Sequence, residues 1–138
     1  MPTPYSFHRR VEFADTDMAG IMHFSNFFRF MEAAEVDYLR SIGLGVSWMS
    51  SETRYGFPRI SASCDFKKAA YFQDLLEIRV LIDRIGEKSV AWRHEFYRGG
   101  DLLATGRIVS VCCRTLPDHT LESISIPAEV RAKLENAN

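Results

Sequence analysis

Three segments between residues 59 and 97 alternate apolar and polar side chains too regularly for a helix. Leu76, Ile78, Val80 and Ile82 alternate with Glu77, Arg79, Leu81 and Asp83. Val90, Trp92, His94 and Phe96 alternate with Ala91, Arg93, Glu95 and Tyr97. Ile60, Ala62, Cys64 and Phe66 alternate with Arg59, Ser61, Ser63, Asp65 and Lys67. Period two sends one set to each face of an extended chain, so the pattern predicts half-buried antiparallel strands. Gly86-Glu87 and Gly99-Gly100-Asp101 supply tight turns between them. Residues 5–13, YSFHRRVEF, alternate less regularly and read as an opening strand. Residues 102–114, LLATGRIVSVCCR, are apolar on both faces and predict a central strand. Residues 44–54 read as irregular, with room for one short helical turn.

Between the first strand and the rest lies one long helical stretch, Asn26 to Ile42. Phe27, Phe30, Met31, Ala34, Tyr38 and Ile42 recur at three- and four-residue spacing and share one stripe. Glu32, Glu35, Asp37 and Arg40 fall mostly outside it. Ser25 or Asn26 suits the N-cap, and Gly43 suits the left-handed position after the last turn. A short amphipathic helix with Val130 and Leu134 follows Pro127. The class is α+β: a five-stranded antiparallel sheet curled around one long helix. That helix covers one face only, so the other face and an edge predict a homo-oligomer.

At 138 residues the chain fits one domain, 1–138. Its 17 Lys and Arg against 18 Asp and Glu leave a net charge of −1, which argues against nucleic acid as a partner. No stretch approaches the ~20 apolar residues of a spanning helix, so no membrane insertion is expected. The opening MPTPYSFHRR has no apolar signal core. Three cysteines, Cys64, Cys112 and Cys113, read as reduced and buried, and the expected location is cytoplasmic. No Gly-x-Ser-x-Gly elbow, paired Cys-x-x-Cys, His-x-x-x-His or glycine-rich phosphate loop is present. Neither a metal nor a cofactor is expected.

What remains is the passage before the long helix, where Asp15 and Asp17 lead into Gly20 and His23. A helix start presents unpaired backbone N–H groups and partial positive charge. Such a site can polarise a carbonyl and hold the oxyanion formed on attack. A carboxylate beside it can attack that carbonyl or deprotonate a water. Together they make a minimal acyl-transfer apparatus. The plainer alternative is that both Asp residues only shape the turn.

Residues 11–33, VEFADTDMAGIMHFSNFFRFMEA, resemble the signature of the 4-hydroxybenzoyl-CoA thioesterase family, which includes the Tol–Pal-type acyl-CoA thioesterases and has the hot-dog fold. The matching features are Phe13, Asp15-Thr16-Asp17, Ala19-Gly20, Ile21-Met22, His23-Phe24 and Ser25-Asn26. RIGEKSVAWRHEF at 84–96 and Ala104 to Arg107 resemble the family's later strands. The resemblance implies an acyl-CoA thioesterase that hydrolyses a thioester to a carboxylic acid and free CoA. It implies that Asp17 is the catalytic carboxylate and that the backbone N–H of Phe24 polarises the thioester. His23 would contact substrate, relay a proton or simply line the cleft. Gly20 would allow close backbone approach or a positive φ.

CoA phosphates call for cations at the mouth of the cleft. Lys67, Lys68, Arg84, Lys88 and Ser89 are the candidates, near strand turns where the resemblance places CoA contacts. It also implies edge-to-edge dimers with sites at the interface, and a dimer or dimer-of-dimers tetramer. Two other readings share this fold. One is a hot-dog acyl-thioester dehydratase or hydratase pairing His23 with Glu32 or Glu35. The other is a non-catalytic acyl-CoA-binding module.

Overall fold

A computed structural model describes residues 4–137. The alternating segments form a five-stranded antiparallel sheet of β1 (Tyr5–Arg10), β4 (Arg59–Phe66), β5 (Leu75–Ile85), β6 (Ser89–Arg98) and β7 (Asp101–Val111). Its order is β1-β5-β6-β7-β4. The long helix, α1 (Phe24–Ser41), lies against one face. The sheet bends through register shifts at Arg59/Ser61, Ile82/Arg84 and Phe96/Tyr97. Each is an extra residue that increases local twist. This is the architecture that the resemblance implies.

The period-two pattern divides the faces as expected. Leu76, Ile78 and Val80 on β5 and Val90, Trp92 and Phe96 on β6 are buried beneath α1. The α1 stripe answers with Phe27, Phe30, Met31, Ala34, Tyr38 and Leu39. On the outer face β5 and β6 carry charge instead. Arg79 meets Glu77 at 3.1 Å, and Arg93 meets Asp83 at 3.1 Å and Glu95 at 2.5 Å. The Arg79 guanidinium also lies 4.1 Å from the centroid of the Tyr97 ring.

Several local expectations need correction. β1 ends at Arg10, and Phe13–Asp15 form a single 3-10 turn. α1 starts at Phe24, two residues early, because His23 is the N-cap and its Nδ1 accepts from the Ser25 N–H at 3.2 Å. Residues 44–54 hold most of a hairpin, β2 (Ser47–Ser50) and β3 (Thr53–Gly56). It joins β8 (Cys113–Thr115) and β9 (Leu121–Ser123) in a second sheet, β2-β3-β8-β9. The strand read as 102–114 therefore splits at Cys112; Cys112 and Cys113 are both buried as expected, whereas Cys64 is only partly so. β7 itself is interior, between β6 and β4. α2 (Ala128–Ala137) buries Val130 and Leu134.

Two buried polar groups depart from the stripe logic. Glu35 is only 1% exposed, and its Oε2 accepts from Arg59 Nη2 at 2.5 Å. Its Oε1 has no partner. His94 is fully buried, as its place in the alternation predicts, yet neither ring nitrogen is hydrogen-bonded. Burial, with the Arg59 charge a lesser cause, holds its pKa down at about 4.

Candidate active site

The passage Asp15–His23 folds as a tight loop closed onto α1. Asp15 Oδ2 accepts the Glu12 N–H at 2.8 Å, while the Asp15 N–H donates to the Glu12 carbonyl at 2.9 Å. Asp17 Oδ1 accepts the Ala19 N–H at 2.8 Å and the Ile21 N–H at 3.4 Å. The Gly20 N–H returns to the Asp17 carbonyl at 3.0 Å, and Gly20 has φ +83°. That is the left-handed conformation glycine adopts without strain. Both aspartates thus shape turns. Asp17 differs in where it faces, because its side chain borders a cleft.

That cleft has a volume of about 330 Å³. Asp17, Phe24, Phe27, Phe66, Lys67 and Lys68 border it, with Ile21, Met22 and Ala69 completing the wall. Phe24 is the first residue of α1, so its N–H has no acceptor within the helix. None is found for it elsewhere among the described residues. A half-buried carboxylate and the positive end of an 18-residue helix therefore open on one space.

The walls come from three directions. The Ile21–Tyr71 bridge and the Met22 N–H to Ala70 carbonyl bond at 2.7 Å dock the Asp17 loop on residues 67–74. Arg98 fixes that segment by donating to the Ala69 carbonyl at 3.1 Å and to Asp74 Oδ2 at 2.8 Å. The backbone N–H groups of Lys67 and Lys68 both donate to the Leu103 carbonyl. Lys68 Nζ lies 3.4 Å from Asp101, whereas Lys67 has no ion pair among the described residues. Phe27 meets both Phe66 and Phe96 edge to face, with centroids 5.0 and 5.1 Å apart. Phe27 is both core and cleft wall, while Phe30 and Met31 are core alone.

Other residues singled out in the sequence stand elsewhere. His23 caps α1 and stacks on Phe24, with centroids 4.6 Å apart, rather than facing into the cleft. Arg84, Lys88 and Ser89 surround the β5–β6 turn. The cleft borders the opposite end of those strands, roughly 30 Å away along β6 at ~3.3 Å per residue. Within one chain the structure does not bring them to Asp17. Nor does it pair a histidine with a carboxylate at the cleft. Glu35 is buried on Arg59, and Glu32 lies in a groove between α1 and β1. The contribution of Phe66 and Ala69 was missed, because each faces the cleft only through the meeting of β4 with the Asp17 loop.

An antiparallel sheet wrapped on one helix, with an acidic loop at the helix start, places the chain in the hot-dog class. A gentisyl-coenzyme A thioesterase has the same fold, with a TM-score of 0.78 at 30% identity over 92% of this chain and 99% of that one. The 4-hydroxybenzoyl-CoA thioesterase of Pseudomonas sp. (strain CBS-3) is 30% identical over 136 residues, covering 94% of this chain and 96% of the relative. A 1,4-dihydroxy-2-naphthoyl-CoA hydrolase of Thermosynechococcus vestitus is 30% identical over 138 residues, covering 99% and 92%. Residues 11–134 match the model of the thioesterase-like superfamily, and the chain belongs to that family. It is a thioester hydrolase.

Proposed function

We propose that the chain is an acyl-CoA thioesterase in which Asp17 supplies the reacting carboxylate and the Phe24 N–H polarises the thioester carbonyl. One observation carries this reading: Asp17 and the first residue of α1 border the same cleft, with Lys67 and Lys68 beside it. The carbonyl oxygen would point at the helix start, where the N–H and the helix dipole stabilise the negative charge that develops on attack. Asp17 has two routes. It attacks the carbonyl carbon, expels CoA thiolate and leaves an acyl-aspartyl anhydride that water hydrolyses. Alternatively it takes a proton from water, the hydroxide adds to the carbonyl, and the thiolate leaves and is protonated. Oxygen-18 found in Asp17 after a single turnover in labelled water identifies the first route, since only an anhydride opened by water at its aspartyl carbon can put it there. Neither route needs a metal or cofactor.

The apolar wall of Phe24, Phe27 and Phe66 suits the acyl group, and the lysines suit CoA phosphate. The related proteins named above act on aromatic acyl-CoAs, which makes aryl-CoAs the first substrates to try. β4 supports the dimer reading. It is an edge strand paired only with β7, and it exposes Ile60 and Phe66. A second copy pairing there would enclose the cleft and could bring its own Arg84, Lys88 and Ser89 near CoA. Three free cysteines fit a reducing cytoplasm. No helix among the described residues is long and apolar enough to cross a membrane.

Release of free thiol from a panel of aryl- and alkyl-CoAs, read with a thiol reagent, tests the proposal. Turnover that disappears in Asp17→Asn supports it. Hydration of an enoyl-CoA without thiol release would favour the hydratase reading. Tight acyl-CoA binding without turnover would favour a binding module.

A further inference from the structure

The backbone carbonyl of Asp15 accepts two hydrogen bonds from the start of α1. The His23 N–H reaches it at 2.8 Å, and Asn26 Nδ2 reaches it at 2.8 Å. Two donors use both lone pairs of that oxygen. The Asn26 bond closes a loop of residues 15–26. Asp17 lies two residues inside one end and Phe24 two residues inside the other. The same carbonyl thus ties together the two ends of the segment that carries both groups the proposed chemistry requires.

We propose that Asn26 is a positioning residue for thioester hydrolysis. By donating to the Asp15 carbonyl it sets the spacing and orientation of the Phe24 N–H relative to the Asp17 carboxylate. This rests on the roles given to Asp17 and Phe24 above. The physical demand is geometric. An oxyanion donor acts at about 2.7–3.1 Å from the developing charge, fixed before attack, and a displacement of about 1 Å can cost on the order of 100-fold in rate.

The bond is not helix capping under another name. His23 already fills the N-cap through Nδ1. Asn26 instead reaches a partner eleven residues earlier, in a different segment. The chemistry at 26 is also restrictive. A carbonyl only accepts, so the side chain must present N–H. An aspartate of the same size would set a carboxylate oxygen against the carbonyl.

The test compares wild type, Asn26→Asp, Asn26→Ala and Asp17→Asn on the acyl-CoA that wild type hydrolyses fastest. In the Asn26 variants kcat should fall about 10- to 100-fold with KM within about threefold, at temperatures where both variants remain folded. A second readout is the infrared C=O stretch of a carbon-13-labelled thioester bound to the Asp17→Asn protein. Adding Asn26→Asp should move that band back toward its position in water, because the donor no longer meets the oxygen. Asn26→Ala supplies the comparison if Asn26→Asp fails to fold. An unchanged kcat and an unmoved band overturn the role of Asn26. A loss of activity that merely tracks the unfolded fraction does so too. Equal turnover by wild type and Asp17→Asn overturns the Asp17 reading instead, so the two failures are distinguishable.

Discussion

Met31 descends from α1 onto the bare backbone of Gly106 in β7, and its sulfur occupies the space where a side chain at 106 would begin. Both residues are buried, and Met31 is fully so. The contact sets how closely the helix approaches the sheet two turns beyond Phe24.

Gly106→Ala should therefore destabilise the protein by about 1–3 kcal/mol, the usual cost of overpacking. Met31 is flexible, but its sulfur, Cε and Cγ all lie within reach of the added carbon. Chemical denaturation measures the loss. Adding Met31→Ala should recover part of it, because the two changes occupy the same volume.

Asp17→Asn should lower kcat by about 10²–10⁴-fold, the range for removing a positioned acid or base. The thermal midpoint should barely move. The asparagine Oδ1 can still accept the Ala19 and Ile21 N–H bonds that shape the turn. A scanning thermal melt alongside steady-state kinetics checks both halves.

His94 predicts a pH dependence of stability. In the folded protein its pKa is down at about 4, against 6.5 as the ordinary value. The unfolded chain therefore takes up the proton first. Stability is fully present above about pH 6.5 and is lost progressively as pH falls toward 4, by up to about 3 kcal/mol. Urea unfolding at pH 7.5 and pH 4.5 would show the difference. His94→Phe removes the titration and should flatten that slope.

Breaking the Glu35–Arg59 pair should be costly. Arg59→Met leaves the Glu35 carboxylate buried beside an already unpartnered oxygen. A loss of about 3 kcal/mol is expected, the low end for a broken buried pair, since Arg59 is partly exposed. Burial already pushes the Glu35 pKa up against the opposing Arg59 charge. The variant should thus take up a proton on Glu35 at a higher pH than wild type. A carboxyl infrared titration reads that shift.

Lys67→Ala should raise KM for a CoA thioester about two- to fivefold, as for loss of one exposed ion pair. KM for the matching short pantetheine thioester, which lacks the nucleotide phosphates, should not change. Added salt should narrow the gap between wild type and variant.

What could be read in the sequence follows the length of each signal. The alternation in β5 and β6 runs long enough to set period, face and partner, and the α1 stripe marks its buried side. The β2–β3 hairpin has four-residue strands whose inner face is marked only by the stacked pair Trp48 and Tyr55, too short a run for a period of two to show. β4 alternates cleanly yet is largely exposed, because as an edge strand it reaches beyond the cover of α1. Glu35 looks solvent-facing until Arg59, distant in sequence, arrives beside it. An acidic loop running into a helix start is visible because it occupies one short segment, but the choice of Asp17 over Asp15 and of the Phe24 N–H is what the family resemblance implies. Arg84, Lys88 and Ser89 could not be placed, since an antiparallel strand carries its two turns to opposite ends of the sheet.

The cleft ends on β4, a strand whose outer backbone is paired by no strand among the described residues. Whatever zips onto that row of amides and carbonyls also becomes a neighbour of Phe66 and the lysines that follow it. If that neighbour is a second copy, as the proposed dimer requires, self-association and enclosure of the reaction chamber become a single equilibrium, and activity per milligram should climb with enzyme concentration until every copy has found its mate.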